Sequence, residues 1–246
     1  MIPEFVQSFF VANQNLLWFL MVLVDLGFTL VLYRWFGAVG LQVAITTAII
    51  LANLLGTQLI QVFGIEVSVG LIFYSSIFFA TDVFNENYGQ ARAQQAVLIG
   101  FVVMLAVLIS LSLSVMLAPS ENPASAAFAA SVHDALNTLA SFSPRLVLGS
   151  LIAYVVSQQL DVHLFHWLKR RTQARWLWLR NNVSTMTSQL IDSLIFSLIA
   201  WWGVVDLQTA LKLGLATYGF KLLIAVLDTP LLYVARRWYQ RGDIKA

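Results

Sequence analysis

No cysteine occurs anywhere in the chain, which excludes disulfides, thiolate metal sites and cysteine nucleophiles. Charge is scarce too: Asp, Glu, Lys and Arg make up 11% of the 246 residues, against roughly 25% in soluble domains. Three histidines and no HExxH pattern leave little on which to build a catalytic zinc site. Met1 to Gln14 holds no Lys or Arg ahead of the first apolar run, so no cleaved signal peptide is expected. Apolar residues fill the space instead. A hydrophobic share of 59% and a mean hydropathy of +0.80 predict an all-α polytopic membrane protein, with residues 1–246 forming one integral membrane domain.

Seven apolar stretches emerge with a window near 20 residues. They run from Leu16 to Tyr33, Val39 to Phe63, Val67 to Phe84, Ala96 to Ala118, Leu146 to Leu168, Val183 to Trp202 and Leu211 to Ala235. The first is interrupted by Asp25, and the second carries Asn53, Thr57 and Gln61 at helical spacing. The fourth holds no ionisable residue and reads as scaffold. The fifth turns polar at Gln158, Gln159, Asp161 and His163, and the sixth contains Ser188, Gln189 and Asp192.

Loop charge sets the expected orientation. Arg34, Arg92, Lys169, Arg170, Arg171, Arg175, Arg180, Arg236, Arg237, Arg241 and Lys245 all follow odd-numbered stretches. Of the 14 basic residues this leaves Arg145 and Lys212 on the other side, and Lys221 inside the last stretch. The positive-inside rule then predicts about seven transmembrane helices, with the amino terminus outside and the carboxyl terminus in the cytoplasm. Trp18, Trp201 and Trp202 fall at the expected outer boundary, and Trp35, Trp167 and Trp238 at the inner one, as an aromatic belt would. The loop from Lys169 to Arg180, with Trp176 and Trp178, reads as an anchor on anionic headgroups rather than a nucleic-acid patch.

The longest connection, Pro119 to Pro144, is expected outside. Asn122-Pro123 suits a helix start, and Phe128, Val132, Leu136 and Leu139 follow at helical spacing. A short amphipathic surface helix is predicted there, with His133 and Asp134 on it as a solvated pair.

What demands explanation is the charge inside the bilayer. Each ionised group near its centre costs roughly 2.5–3.5 kcal/mol. Lys221 and Asp228 share one helix face, about 10.5 Å apart along the axis, too far for direct contact. Helix direction instead brings Lys221 near the level of Asp192, and Asp25 and Gln158 also fall near mid-depth. Asp82, Asp161 and Asp228 lie in the inner third. Polar residues such as Asn53, Thr57 and Gln61 can simply glue helices at about 0.6 kcal/mol per hydrogen bond. That does not account for Lys221 with Asp82, Asp192 and Asp228, which predict a polar, water-filled cavity. Carboxylates and carboxamides beside Tyr154, Tyr218, Phe79 and Phe220 suit a flat heterocycle, and equally another small polar solute.

Four ordered motifs narrow this: Phe79-Ala80-Thr81-Asp82 followed by Tyr88-Gly89; Tyr154-Val155-Val156-Ser157-Gln158-Gln159-Leu160-Asp161-Val162-His163-Leu164-Phe165; Ser188-Gln189-Leu190-Ile191-Asp192-Ser193; and Tyr218-Gly219-Phe220-Lys221. With these, roughly Thr46 to Arg237 resembles the queuosine precursor transporter family of bacterial inner-membrane proteins, relatives of small vitamin-uptake transporters. The resemblance implies a multi-pass transporter, without enzymatic activity, cofactor or metal. Its implied cargo is a 7-deazaguanine (7-cyano-7-deazaguanine, 7-aminomethyl-7-deazaguanine or queuine) for the tRNA base queuosine. It implies Asp82, Gln158, Asp161, Gln189, Asp192, Tyr218 and Lys221 as substrate-binding residues, with Asn181 a further candidate. Carboxylates would read the base edge while Lys221 balances their charge. Some members have six spans, which makes the first stretch, with Asp25, an addition to a six-helix core. Asp228 is apolar in some members, so Asp25 and Asp228 are assigned to the path or to proton coupling. Five deep carboxylates against one lysine would be net negative if all were ionised, so part of the set is expected to carry protons.

The expected partners are the small-molecule substrate and the lipid bilayer, with no nucleic acid, and a homo-oligomer stays open. A retinal-binding seven-helix protein using Lys221 is the rival from another class. Those proteins place a carboxylate counterion one turn before the lysine, where this chain has Thr217. An intramembrane hydrolase fits poorly too, because the histidines lie at the inner boundary or in the outer loop.

Overall fold

The computed structural model describes residues 3–56, 58–140, 144–201, 203 and 206–244. Helices α1 (Glu4–Ala12) and α2 (Gln14–Leu54) come first, followed by a hairpin of β1 (Leu59–Val62) and β2 (Ile65–Ser68). Then come α3 (Gly70–Asn87), α4 (Gln90–Ser114), α5 (Ala126–Ala140), α6 (Pro144–Arg171), α7 (Leu177–Trp201) and α8 (Leu207–Arg241). Among the described residues the architecture is all-α apart from that hairpin. Helices α2, α4, α7 and α8 are long and apolar enough to cross a membrane.

The first two apolar stretches form the two limbs of α2. Its 41 residues would span about 61 Å if straight, twice a bilayer core. At Gly37 the backbone turns to φ 55°, ψ −132°, and the chain doubles back. Leu17, Leu20 and Val24 of one limb line the same cavity as Ala48 and Leu51 of the other. Asn15 Oδ1 accepts from Phe63 N at 2.8 Å, which ties the end of the second limb's loop to the start of the first. Gly40 makes the close approach feasible, since a Cβ there would stand 2.0 Å from the Leu32 carbonyl oxygen. One stripe of the first limb (Trp18, Val22, Leu26, Leu30, Tyr33) is buried at helical spacing, while Leu23 and Val31 off that stripe are exposed. An apolar outer face of this kind suits a lipid solvent.

The second stretch does not stay helical to Phe63. The helix ends at Leu54, and Ile60, Val62, Ile65 and Val67 alternate into an antiparallel hairpin closed at Gly64, φ 76°. Asn53 and Gln61 therefore do not share a helix face, and Thr57 lies outside the described residues. Asn53 donates to Ile49 O within its own helix, and Gln61 belongs to β1.

Two other expectations change. Trp18 is buried at 1% exposure and packs edge-on against Phe220 at 5.6 Å, so it is core and no belt residue. Trp202, Lys245 and the side chains of Trp201 and Arg145 lie outside the described residues. Trp35, Trp167, Trp176 and Trp178 are exposed, as surface anchors would be. The amphipathic helix of the long connection is α5. It starts at Ala126, where Asn122 accepts from Ala124 N through its side chain and from Ala126 N through its carbonyl. Asp206 caps α8 by accepting from Thr209 N and Oγ1, and those bonds hold its carboxyl below the usual range. Pro230 sits inside α8 without ending it.

Helix α7 packs between α6 and α8, and α3 meets α2, α6 and α8. Those packed faces carry most of the buried polar side chains. The α2 reversal yields a test of the fold. Gly37→Ala and Gly40→Ala should each lower the thermal midpoint in detergent, by roughly 1–3 kcal/mol of stability. Gly27→Ala, with nothing within 4 Å of its Cβ position, should leave it unchanged or raised.

Candidate functional site

Helix α7 supplies the organising stripe. Asn181, Ser184, Thr185, Ser188 and Asp192 recur every three or four residues, so they share one face, and each is 3% exposed or less. That face is turned to α3, α6 and α8, which answer with their own polar groups. The result is a buried polar column with three levels.

The first level is the ion pair. Lys221 Nζ on α8 donates to Asp192 Oδ2 at 2.5 Å, with both side chains 4% exposed. The other oxygen, Oδ1, accepts from Tyr74 Oη of α3 at 2.6 Å and from Ser157 Oγ of α6 at 2.9 Å. The ammonium also lies 4.9 Å from the centre of the Tyr74 ring. Three donors from three helices thus converge on one carboxylate. Such saturation is what a charge buried this deeply requires.

The second level is acidic. Asp82 of α3 accepts from Thr185 Oγ1 at 2.8 Å, Asp161 of α6 from Ser188 Oγ at 3.0 Å, and Asp228 of α8 from Asn181 Nδ2 at 3.2 Å. The carboxyl groups of Asp82 and Asp161 approach each other, with Asp228 in electrostatic range. Among the described residues none of these three pairs with a cation. Asp82 Oδ1 and Asp161 Oδ2 have no hydrogen-bond partner, nor does either amide atom of Gln158 or the Oε1 of Gln189. Gln158 and Gln189 are both buried, at 0% and 1% exposure. This is a set of acceptors and donors suited to a polar solute with several hydrogen-bonding groups on one edge.

The third level closes the basic end. Glu86 of α3 pairs with Arg180 of α7 at 2.7 Å, Lys169 of α6 at 3.1 Å and Arg236 of α8 at 3.1 Å. Arg180 is fully buried and donates as well to the carbonyls of Ala174 and Arg175. Lys169 reaches the Glu86 carbonyl. Arg34 meets Asp243 nearby and stacks over Trp238 at 5.1 Å. The basic loops therefore share one end of the molecule.

Hydrogen bonds and close approach bring together Asp82, Asp161, Asn181, Asp192, Lys221 and Asp228 with the α7 stripe, and Gln158 and Gln189 are buried on α6 and α7 one turn before Asp161 and Asp192. Two expected residues lie apart. Tyr218 is half-buried and its hydroxyl donates to the Met186 carbonyl at 3.0 Å, away from the ion pair. Asp25 borders a separate, mainly apolar cavity of about 330 Å³ between the limbs of α2 and Phe73 of α3. Glu86, Tyr74, Ser157 and Thr185 were not singled out from sequence. The hydroxyls of α7 could have been, because their three-to-four spacing with Asp192 is readable. The Glu86 clasp carried a fainter signal, one acidic residue among the basic loops.

A mainly helical chain with membrane-spanning helices around a buried charged column has the build of a membrane solute transporter. Residues 68–235 match the model of a family described as "Putative vitamin uptake transporter". The chain is 35% identical over 225 residues to a Bacillus subtilis protein named "Probable queuosine precursor transporter", covering 91% of this chain and 95% of that one. It is 32% identical over 171 residues to the queuosine precursor transporter of Escherichia coli, covering 68% and 71%. No solved structure matches the chain. The chain belongs to this family of vitamin uptake and queuosine precursor transporters: it is a multi-pass membrane transporter and not an enzyme.

Burial ranks the ion pairs by their worth to the fold. Glu86→Ala strands the fully buried Arg180 guanidinium and should cost about 3–5 kcal/mol. Asp243→Ala breaks a pair whose side chains are 36% and 38% exposed and should cost about 1 kcal/mol or less. Thermal unfolding in detergent separates the two, and equal shifts would contradict the ranking.

Proposed function

We propose that this chain imports queuosine precursors, 7-deazaguanine bases, across the bacterial inner membrane for tRNA modification. Two lines support this: relatives matched over most of the chain carry that name, and the column has the chemistry to read such a base. The observation that carries the reading is the Lys221–Asp192 pair set beside unpaired carboxylate and carboxamide atoms inside the helix bundle. Charged groups at this depth line solute paths far more often than they glue helices.

Seven spans follow if the two limbs of α2, α3, α4, α6, α7 and α8 each cross once. The basic end is then cytoplasmic, with the amino terminus outside, and the whole chain is one membrane domain. A base enters at the level of Lys221 and Asp192, where Tyr74 and Tyr154 offer aromatic faces. Asp82 and Asp161 accept from its ring N–H and exocyclic amine, while Gln158 and Gln189 supply the complementary carboxamides. Asn181 and Asp228 line the cytoplasmic leg. Tyr218 acts from the α7–α8 seam, and Asp25 and Asp228 are candidates for the path or for proton coupling.

The test is complementation. Cells unable to synthesise the precursor are given this chain and fed each candidate base, and queuosine is measured in their tRNA. Restoration by a 7-deazaguanine is the expected result, and its loss in Asp192→Asn or Lys221→Ala supports the site. No restoration by any of the bases would favour another small polar or heterocyclic solute. Restoration undiminished in both variants would overturn the site assignment. An imposed inward proton gradient should raise the uptake rate, and indifference to it would count against coupling.

A further inference from the structure

We propose that Asn85 is a specificity-determining contact for the transported solute, on the cytoplasmic side of the acidic level. The inference rests on the reading above of a guanine-type base as cargo, and it adds the residue that reads the base's lactam carbonyl.

Asn85 follows Asp82 by three positions on α3, so the two share a face about 4.5 Å apart along the axis. Asp82 reaches Thr185 of α7 and approaches Asp161 of α6. The next residue, Glu86, is held by Lys169, Arg180 and Arg236. Asn85 therefore sits between the acidic level and the clasp. It is 0% exposed, and among the described residues neither Nδ2 nor Oδ1 has a hydrogen-bond partner. The other buried asparagines each use their amide nitrogen: Asn87 donates to Tyr33 Oη at 2.7 Å and Asn181 to Asp228, with the Oδ1 of Asn181 left unpaired among the described residues.

An unpaired buried amide costs about 1–3 kcal/mol per group, and a leucine of similar volume would avoid that cost. The chemistry says what the amide is for. An ionised carboxylate accepts hydrogen bonds and cannot donate them, so Asp82 and Asp161, when ionised, suit the N–H and amine of a guanine-type edge and leave the ring carbonyl to another donor. A carboxamide presents one donor and one acceptor side by side, the complement of a lactam N–H and C=O. Gln158 stands one turn before Asp161 and Asn85 one turn past Asp82, so the two carboxamides bracket the acidic level along the path. Asn85 takes the base as it leaves Gln158.

Three proteins are compared in proteoliposomes: the wild type, Asn85→Leu and Asn85→Asp. Uptake is measured for a 7-deazaguanine base and for its analogue lacking the lactam oxygen, together with thermal midpoints without ligand. The wild type should prefer the lactam. Both variants should raise KM for it by at least about tenfold and lose the preference, while Asn85→Leu keeps or raises the unliganded midpoint. Where a variant does not transport, the shift of its midpoint on adding each base gives the same comparison. Wild-type KM or retained preference in the variants, with a wild type that transports the base, overturns the role of Asn85 alone. A lowered unliganded midpoint in Asn85→Leu overturns it in favour of a structural role. A wild type that takes up neither base overturns the underlying reading of the cargo.

Discussion

Burying a charge in a bilayer is tolerable only when every lone pair and proton around it is answered, and Asp192 shows how far the fold goes to meet that demand. Its two oxygens receive Lys221 from α8, Tyr74 from α3 and Ser157 from α6. Four helices are thereby fixed in rotation about their axes, since a turn of any one would leave a charge or hydroxyl facing hydrocarbon. Packing alone does not impose this, because lipid tails are as apolar as the leucines that pack helices together. The polar contact sets the register, and the small and apolar side chains fill around it.

From that register the rest of the column follows. Once α7 is locked at Asp192, its stripe of Ser188, Thr185 and Asn181 is delivered one turn at a time to Asp161, Asp82 and Asp228. The same helices arrive at the basic end with Lys169, Arg180 and Arg236 around Glu86. The levels differ in character. Charge is balanced at Lys221, acidic and incompletely hydrogen-bonded at Asp82 and Asp161, and tightly clamped at Glu86. From Lys221 to Glu86 the column passes from neutral through acidic to cation-rich surroundings. The middle level is the part that the described protein groups do not satisfy, which is why the proposed binding of the solute is assigned there.

Much of this was legible in the sequence, for definite physical reasons. Hydropathy located the helices because bilayer-facing surface must be apolar, and loop charge grouped the basic residues that the structure gathers at one end. The pairing of Lys221 with Asp192 rather than Asp228 followed from rise per residue and helix direction alone. Other features depend on tertiary contacts that no local pattern encodes. Trp18 looked like a belt residue because its position fits one, yet its ring is committed to Phe220. The hairpin after Leu54 was hidden because Ile60, Val62, Ile65 and Val67 alternate within a run that is apolar on average. Tyr74 and Glu86 gave little sign of their roles, since a tyrosine or a helix-end glutamate acquires meaning only from what three other helices bring to it.

The central claim is that the buried column is the route of the solute. Because the chain has no cysteine, Ser157→Cys would place its one thiol beside Asp192 with little change in volume. The most direct measurement is the rate at which a small water-soluble thiol reagent modifies that cysteine during transport, with and without a saturating 7-deazaguanine base. If the column is the route, the thiol is modified in the absence of the base and strongly protected in its presence. A thiol that never reacts, or one that reacts equally fast with the base bound, would contradict it.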